Sequence, residues 1–191
     1  MKIAKKDNKS QFAKASPPGR LEGLFFLIGF MACGKTSIGK LVAERTGYDF
    51  VDLDQWIESE NGRSVQQIFA EQGEDAFRKL EHEYLQKACF LQHTIVATGG
   101  GVPCFYNNME LMNSAGKTVY LKFPPEELKI RIQQSSQDSR PLVAGKSDDQ
   151  LLQFVRETLA EREQYYRQAD FIVSGNDAEI AEQIIDLVER K

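Results

Sequence analysis

The chain has 191 residues, a net charge of −4, 41% hydrophobic and 27% charged residues, the balance of one globular domain with a real core. The acidic balance and the lack of a basic stripe with interleaved aromatics argue against nucleic-acid binding, and no apolar run nears the roughly 18 residues of a membrane span. Cys33, Cys89 and Cys104 are odd in number, lack metal-type spacing, and read as free thiols of a reducing, cytoplasmic setting.

Residues 1–20 carry six basic side chains against one acidic and end in Ser16-Pro17-Pro18-Gly19-Arg20. With no apolar core of a secretory signal, they read as a flexible tail, leaving 21–191 as a single domain. The apolar run Leu24–Ile28 predicts a strand and ends at Gly29. Gly34-Lys35-Thr36 follows, giving G-x-x-x-x-G-K-[ST], the phosphate-binding loop. Ile38, Leu41 and Val42 then step as one face of a helix. The order has a physical reason. Glycine lets backbone N–H groups curl around an anion, and the helix start directs its free N–H groups and positive dipole end at the phosphates. Lys35 can reach the outer phosphates and the Thr36 hydroxyl can ligate Mg²⁺. Ala32 stands in the turn of this loop, where a glycine is usual, and a positive φ there would strain it. Cys33 reads as a small apolar loop residue.

Asp49–Leu53 predicts a second strand, whose period of two would put Asp52 and Asp54 on one face. Gln55–Gln72 predicts one or two short helices broken at Gly62. Phe77, Leu80, Tyr84, Ala88 and Leu91 form a helical stripe, with Arg78 and Glu81 beside it. His82 and His93 read as surface residues and not as ligands. Thr94–Ala97 predicts the third strand and runs into Thr98-Gly99-Gly100-Gly101. Thr118–Leu121 and Phe171–Val173 predict the fourth and fifth strands. The stripes Pro124–Ile132, Leu151 to Leu159 and Ile180 to Val188 predict further helices. Gln133–Asp149 is polar and long for a connection, which suggests a functional segment, a lid, or else disorder. Strands alternating with helices predict an α/β fold with a parallel sheet covered on both faces, binding its ligands at the carboxyl ends of the strands.

Several residues at those strand ends have both a structural and a chemical reading. Asp52 and Asp54 are either solvated acids or a Mg²⁺-steadying carboxylate and an acid that faces an acceptor substrate. Arg78–Glu81 is either a surface ion pair or a carboxylate clamp with its support. Three successive glycines suggest a backbone that must come close to a ligand. Arg140 is either a solvated loop residue or a cation that closes over a transferring phosphoryl group, and Arg162, near the end of the helix leading to the fifth strand, reads as part of a solvated face.

Taken together, the motifs resemble shikimate kinase. They are Gly34-Lys35-Thr36, Asp52-Leu53-Asp54, Phe77-Arg78-Lys79-Leu80-Glu81, Gly99-Gly100-Gly101, Arg140-Pro141-Leu142 and Arg162 to Tyr166, in order over Gly29–Asp170. Gln164 departs from the family, which often has proline there. The resemblance implies a three-layer αβα sandwich of P-loop NTPase architecture, a five-stranded parallel sheet of order 2-3-1-4-5, an acceptor-binding insertion at about 54–85 and a mobile lid at about 133–149. It implies ATP-dependent phosphorylation of the 3-hydroxyl of shikimate, on the route to chorismate and the aromatic amino acids, by a monomer.

By matching position, Lys35, Asp54 and Arg140 would be catalytic. Ala32, Cys33, Gly34, Lys35, Thr36, Ser37, Arg131 and Arg140 would bind ATP. Asp54, Arg78, Gly99, Gly100, Gly101 and Arg162 would bind shikimate, and Thr36 and Asp52 would hold Mg²⁺. The alternatives are another small-metabolite kinase such as a gluconate kinase, and a non-catalytic ATP-binding module.

Overall fold

The computed structural model describes residues 22–135 and 146–190. The predicted tail, 1–20, and Arg140 with most of the predicted lid lie outside the described residues.

The sheet is built outward from β1 (Leu24–Ile28), five apolar residues that are all buried. A strand enclosed on both faces has no use for polar alternation, which is why this segment reads as a continuous apolar run. β3 (Thr94–Ala97) and β4 (Lys117–Leu121) flank it. β2 (Asp49–Asp52) and β5 (Phe171–Val173) form the edges, giving the all-parallel order β2-β3-β1-β4-β5. This is the order that the family resemblance implied. Leu27 and Asp52 both pair with Ala97, so β1, β2 and β3 end level and their following loops open into one crevice.

Eight α-helices lie among the described residues: α1 (Lys35–Thr46), α2 (Leu53–Asn61), α3 (Val65–Gln72), α4 (Glu74–Ala88), α5 (Asn108–Ala115), α6 (Pro125–Gln134), α7 (Asp148–Tyr166) and α8 (Asp177–Glu189). They flank the sheet: α1 packs on α8, while α4 meets α5 and a 3-10 turn, Val102–Cys104, that also touches α7.

Two boundaries differ from the sequence reading, and the helix break expected at Gly62 is present. β2 stops at Asp52, because the Asp52 carboxylate accepts from the Asp54 and Gln55 N–H groups and starts α2 at Leu53. Asp52 and Asp54 therefore do not share a strand face; one caps a helix and the other lies in its first turn. The stretch after β2 is two helices, separated where Gly62 takes φ 64° and Ser64 opens α3 with a capping box. Gln133 and Gln134 belong to α6, while Asp148 and Asp149 belong to α7, so both ends of the predicted lid are helical.

Candidate active site

The loop after β1 turns sharply into α1. Gly34 takes φ 87° and caps the helix with no side chain in the way, leaving the first N–H groups of α1 facing outward. Ala32 also has a positive φ, 62°. The strain anticipated for an alanine at this position is therefore present. Lys35 is buried, and its ammonium lies 2.9 Å from the Gly29 carbonyl, 2.8 Å from that of Phe30 and 3.5 Å from the Cys33 sulfur. The Cys33 side chain is fully buried in the core, so any contact of this residue with phosphate is confined to its backbone. The Ser37 hydroxyl donates to the Gly34 carbonyl at 3.0 Å.

Thr36 donates to Asp52 Oδ2 at 2.6 Å, and the other oxygen of Asp52 caps α2 at 3.1 and 3.2 Å. Among the described residues no cluster of three or more acidic, histidine or cysteine side chains could cage a metal. A hydroxyl beside one carboxylate is instead the oxygen-only, sparse protein contribution that suits Mg²⁺, which keeps most of its shell for water and phosphate. A cavity of about 560 Å³ opens over this loop and extends to Arg131. Arg131 is fixed there by Glu127 at 2.8 Å and Asp177 at 2.6 Å, with its guanidinium 4.1 Å from the Phe123 ring centre.

A second cavity of about 300 Å³ lies alongside, between α2, α3, α4 and the glycine loop after β3. The two cavities share Met31, Asp54, Gly99 and Gly100 in their walls. Asp54 thus stands where they meet. Its Oδ1 is enclosed and has no hydrogen-bond partner among the described residues. Burial, then the neighbouring charge of Asp52, pushes the Asp54 carboxyl up to about 6, although Lys35 opposes the shift.

Arg78 lines the second cavity and is buried, as is Glu81, so this is not the surface ion pair that the helix pattern alone allowed. Three of the five guanidinium N–H groups are engaged on its own helix. Nε and Nη2 reach Glu74 at 3.1 and 2.9 Å, and Nη1 reaches Glu81 at 2.5 Å. The remaining N–H groups on Nη1 and Nη2 form an end-on fork, the shape that matches a carboxylate. The rings of Phe69, Phe77 and Phe105 lie 5.6, 5.6 and 4.7 Å from the guanidinium carbon. Burial pushes the Glu81 carboxyl up to about 7; Arg78 works against this and Asp54 adds to it.

The glycines at the end of β3 fit tightly against this cluster. A Cβ on Gly99 would lie 2.5 Å from Glu81 Oε1, and one on Gly101 would lie 2.6 Å from Arg78 Nη1. The sequence suggested that these glycines clear space for a ligand. In the structure Gly99 and Gly101 clear space for charged side chains, while Gly100 lies against the backbone of the phosphate loop. Arg162, on α7, completes the wall opposite Arg78 and has no ion pair among the described residues.

All the predicted site residues within the described regions lie around these two cavities, except the core-facing side chain of Cys33. Sequence reasoning missed Glu74, Glu58, Phe69 and Met31. Only Glu74 had a readable signal, an acid four residues before Arg78 on the same helix.

A family model described as shikimate kinase matches residues 31–190. A shikimate kinase of Phocaeicola vulgatus is 41% identical over 169 residues, covering 87% of this chain and 96% of that protein. The crystal structure of shikimate kinase from Bacteroides thetaiotaomicron superposes with a TM-score of 0.81 at 38% identity, covering 87% of this chain and 98% of that one. Shikimate kinase from Acinetobacter baumannii, solved in complex with shikimate, gives a TM-score of 0.79 at 30% identity over 88% of this chain and 96% of that one.

Proposed function

The chain belongs to the shikimate kinase family, and from that premise we propose how its own residues carry the reaction. The enzyme phosphorylates the 3-hydroxyl of shikimate with ATP, giving shikimate 3-phosphate and ADP. A gluconate kinase and a non-catalytic ATP-binding module are not favoured, since its relatives at about 40% identity over most of the chain are shikimate kinases.

In our reading the larger cavity takes the triphosphate and the smaller takes shikimate. The outward N–H groups at the start of α1 and the ammonium of Lys35 hold the phosphates. To do so Lys35 leaves the carbonyls of Gly29 and Phe30. Arg131 borders the nucleotide with its guanidinium plane held by two carboxylates. Thr36 and Asp52 would hold Mg²⁺, which when bound neutralises charge on the outer phosphates. Arg140 is assigned to the phosphates on its sequence motif alone.

On the acceptor side, Arg78 and Arg162 hold the shikimate carboxylate between them, with Glu81 and Glu74 setting the fork of Arg78. Asp54 accepts the hydrogen bond of the attacking hydroxyl and takes its proton as the new O–P bond forms. The bond to the bridging oxygen of ADP breaks in line, and its electrons leave with ADP. The observation that carries this reading is Asp54 Oδ1, an enclosed carboxylate oxygen at the junction of the two cavities that has no donor among the described residues. Such an atom is costly unless a ligand hydroxyl completes it.

We read the catalytic unit as residues 21–191, with about 54–85 as the acceptor-binding part, acting as a cytoplasmic monomer. Light scattering tests the oligomeric state. ADP release with Mg-ATP tests the chemistry, with shikimate, gluconate, a nucleoside monophosphate and no acceptor run in parallel. Turnover with shikimate alone is expected, and turnover with another acceptor instead would move the specificity.

A further inference from the structure

Tyr166 is fully buried at the last position of α7, one turn beyond Arg162. Its ring packs 5.1 Å from that of Tyr120 on β4. Its hydroxyl donates to the Gly100 carbonyl at 2.6 Å, and Arg162 lies one turn earlier on the same helix. The bond thus ties the last turn of α7, the helix that carries Arg162, to the glycine loop after β3.

The link reaches further through the backbone. The Gly100 carbonyl and the Gly101 N–H belong to one planar trans peptide and point in opposite directions. Holding the carbonyl toward α7 therefore directs the Gly101 N–H away from α7. The same peptide leads into Gly101, against which the Arg78 guanidinium lies. One buried hydroxyl thereby links the helix that carries Arg162, on one wall of the acceptor cavity, to the glycine loop on another.

We infer that the Tyr166 hydroxyl is a positioning residue for acceptor binding, aligning Arg162 and the Gly100–Gly101 peptide as a unit. The inference rests on the reading that Arg162 and the glycine loop receive shikimate. Phenylalanine would fill the same space beside Tyr120 and lose only the link. A merely structural hydroxyl would lower stability and leave the two substrates' constants alone. A positioning hydroxyl would raise the constant for one substrate only.

The test is steady-state kinetics of Tyr166→Phe, with each substrate varied at saturating levels of the other. Tyr84→Phe is the control, since it removes another buried-ring hydroxyl, one bonded to Glu60 at 3.0 Å and outside the lining of either cavity. Tyr166→Phe is expected to raise KM for shikimate about five- to tenfold, the worth of one hydrogen bond, with KM for ATP changed less than about twofold. Tyr84→Phe is expected to change neither. Tyr166→Met, which also lacks the hydroxyl but adapts its shape, is measured by shikimate calorimetry at a temperature where circular dichroism shows it folded, and should show the same selective loss.

An unchanged KM for shikimate in Tyr166→Phe, or equal losses for both substrates, would overturn the inference. Arg162→Ala separates that failure from a failure of the site reading. If Arg162→Ala weakens shikimate and Tyr166→Phe does not, the cavity assignment stands and the positioning role falls. If neither weakens shikimate, the assignment of Arg162 to the acceptor falls, and the positioning role with it.

Discussion

Thr36 and Asp52 touch across 2.6 Å, joining the first turn of α1 to the end of β2 through a hydroxyl–carboxylate contact. Asp52 also caps α2 through its other oxygen. Asp52→Asn keeps the cap and removes the charge, whereas Asp52→Ala removes both. Asp52→Asn should therefore leave the fold intact and raise the Mg²⁺ concentration for half-maximal rate by about tenfold or more, while Asp52→Ala should also cost roughly 1 kcal/mol of stability. A Mg²⁺ titration at fixed ATP, with thermal melts of both variants, checks the pair. An unaltered Mg²⁺ requirement would remove Asp52 from the metal site.

Asp54 gives a pH dependence with a definite sign. Its carboxyl lies at about 6 in the folded protein because it is buried beside Asp52, against about 3.9 in an unfolded chain. Between those values the folded state binds more protons, so ionising Asp54 removes stability as pH rises through that window, on the order of 3 kcal/mol by neutral pH. Activity runs the other way, since the base must be ionised. kcat/KM for shikimate should fall with unit slope below about pH 6. Asp54→Asn should lose nearly all turnover and yet melt several degrees higher at neutral pH. A variant that melts lower would contradict the cost assigned to this carboxylate.

Arg78 sits between Glu74 and Glu81, and only Glu81 is buried. Arg78→Ala should weaken shikimate by about 2–5 kcal/mol while sparing ATP, and also destabilise the fold by leaving Glu81 uncompensated. Adding Glu81→Gln should restore much of the stability and none of the shikimate affinity. Melting curves and both KM values for the double variant separate the two roles of the arginine.

The loop around Gly101 admits no side chain. Gly101→Ala would place a methyl group 2.6 Å from Arg78 Nη1. The guanidinium must shift, so KM for shikimate should rise at least about tenfold, as misplacement of a binding group does. A crystal structure of the variant should show Arg78 displaced; an unmoved Arg78 with normal KM would refute the close fit.

Ala32 provides a test in the opposite direction. Its φ of 62° costs an alanine on the order of 1 kcal/mol that glycine escapes. Ala32→Gly should hold or slightly raise the melting temperature and leave turnover intact. Loss of ATP binding would mean that the methyl group itself shapes the loop.

What could be read from the sequence follows a physical division. Local patterns carried the strands, the phosphate loop and the strain at Ala32, because each depends on neighbours within a few residues. The burial of Arg78 could not be read this way. It depends on Phe69 from α3 and Phe105 from the loop after the 3-10 turn, brought together by the fold around a helix whose own pattern puts Arg78 beside the apolar stripe. The split of Asp52 from Asp54 was hidden for a related reason. A capping carboxylate and a strand carboxylate look alike until the start of the next helix is known. The glycine triplet marked the right place, while its crowding by Glu81 and Arg78 belongs to tertiary structure.

The parked ammonium of Lys35 has a consequence for inhibitor chemistry. Within the loop it bonds to two carbonyls and touches a sulfur. A compound that ends at the ribose leaves those contacts whole and gains nothing from the lysine. A compound with phosphate or a phosphate mimic must first detach the ammonium, so its affinity is the difference between two sets of bonds. Extending a nucleoside-based ligand toward the loop should therefore bring little improvement until its anion is strong enough to displace both carbonyls, and then a sharp one.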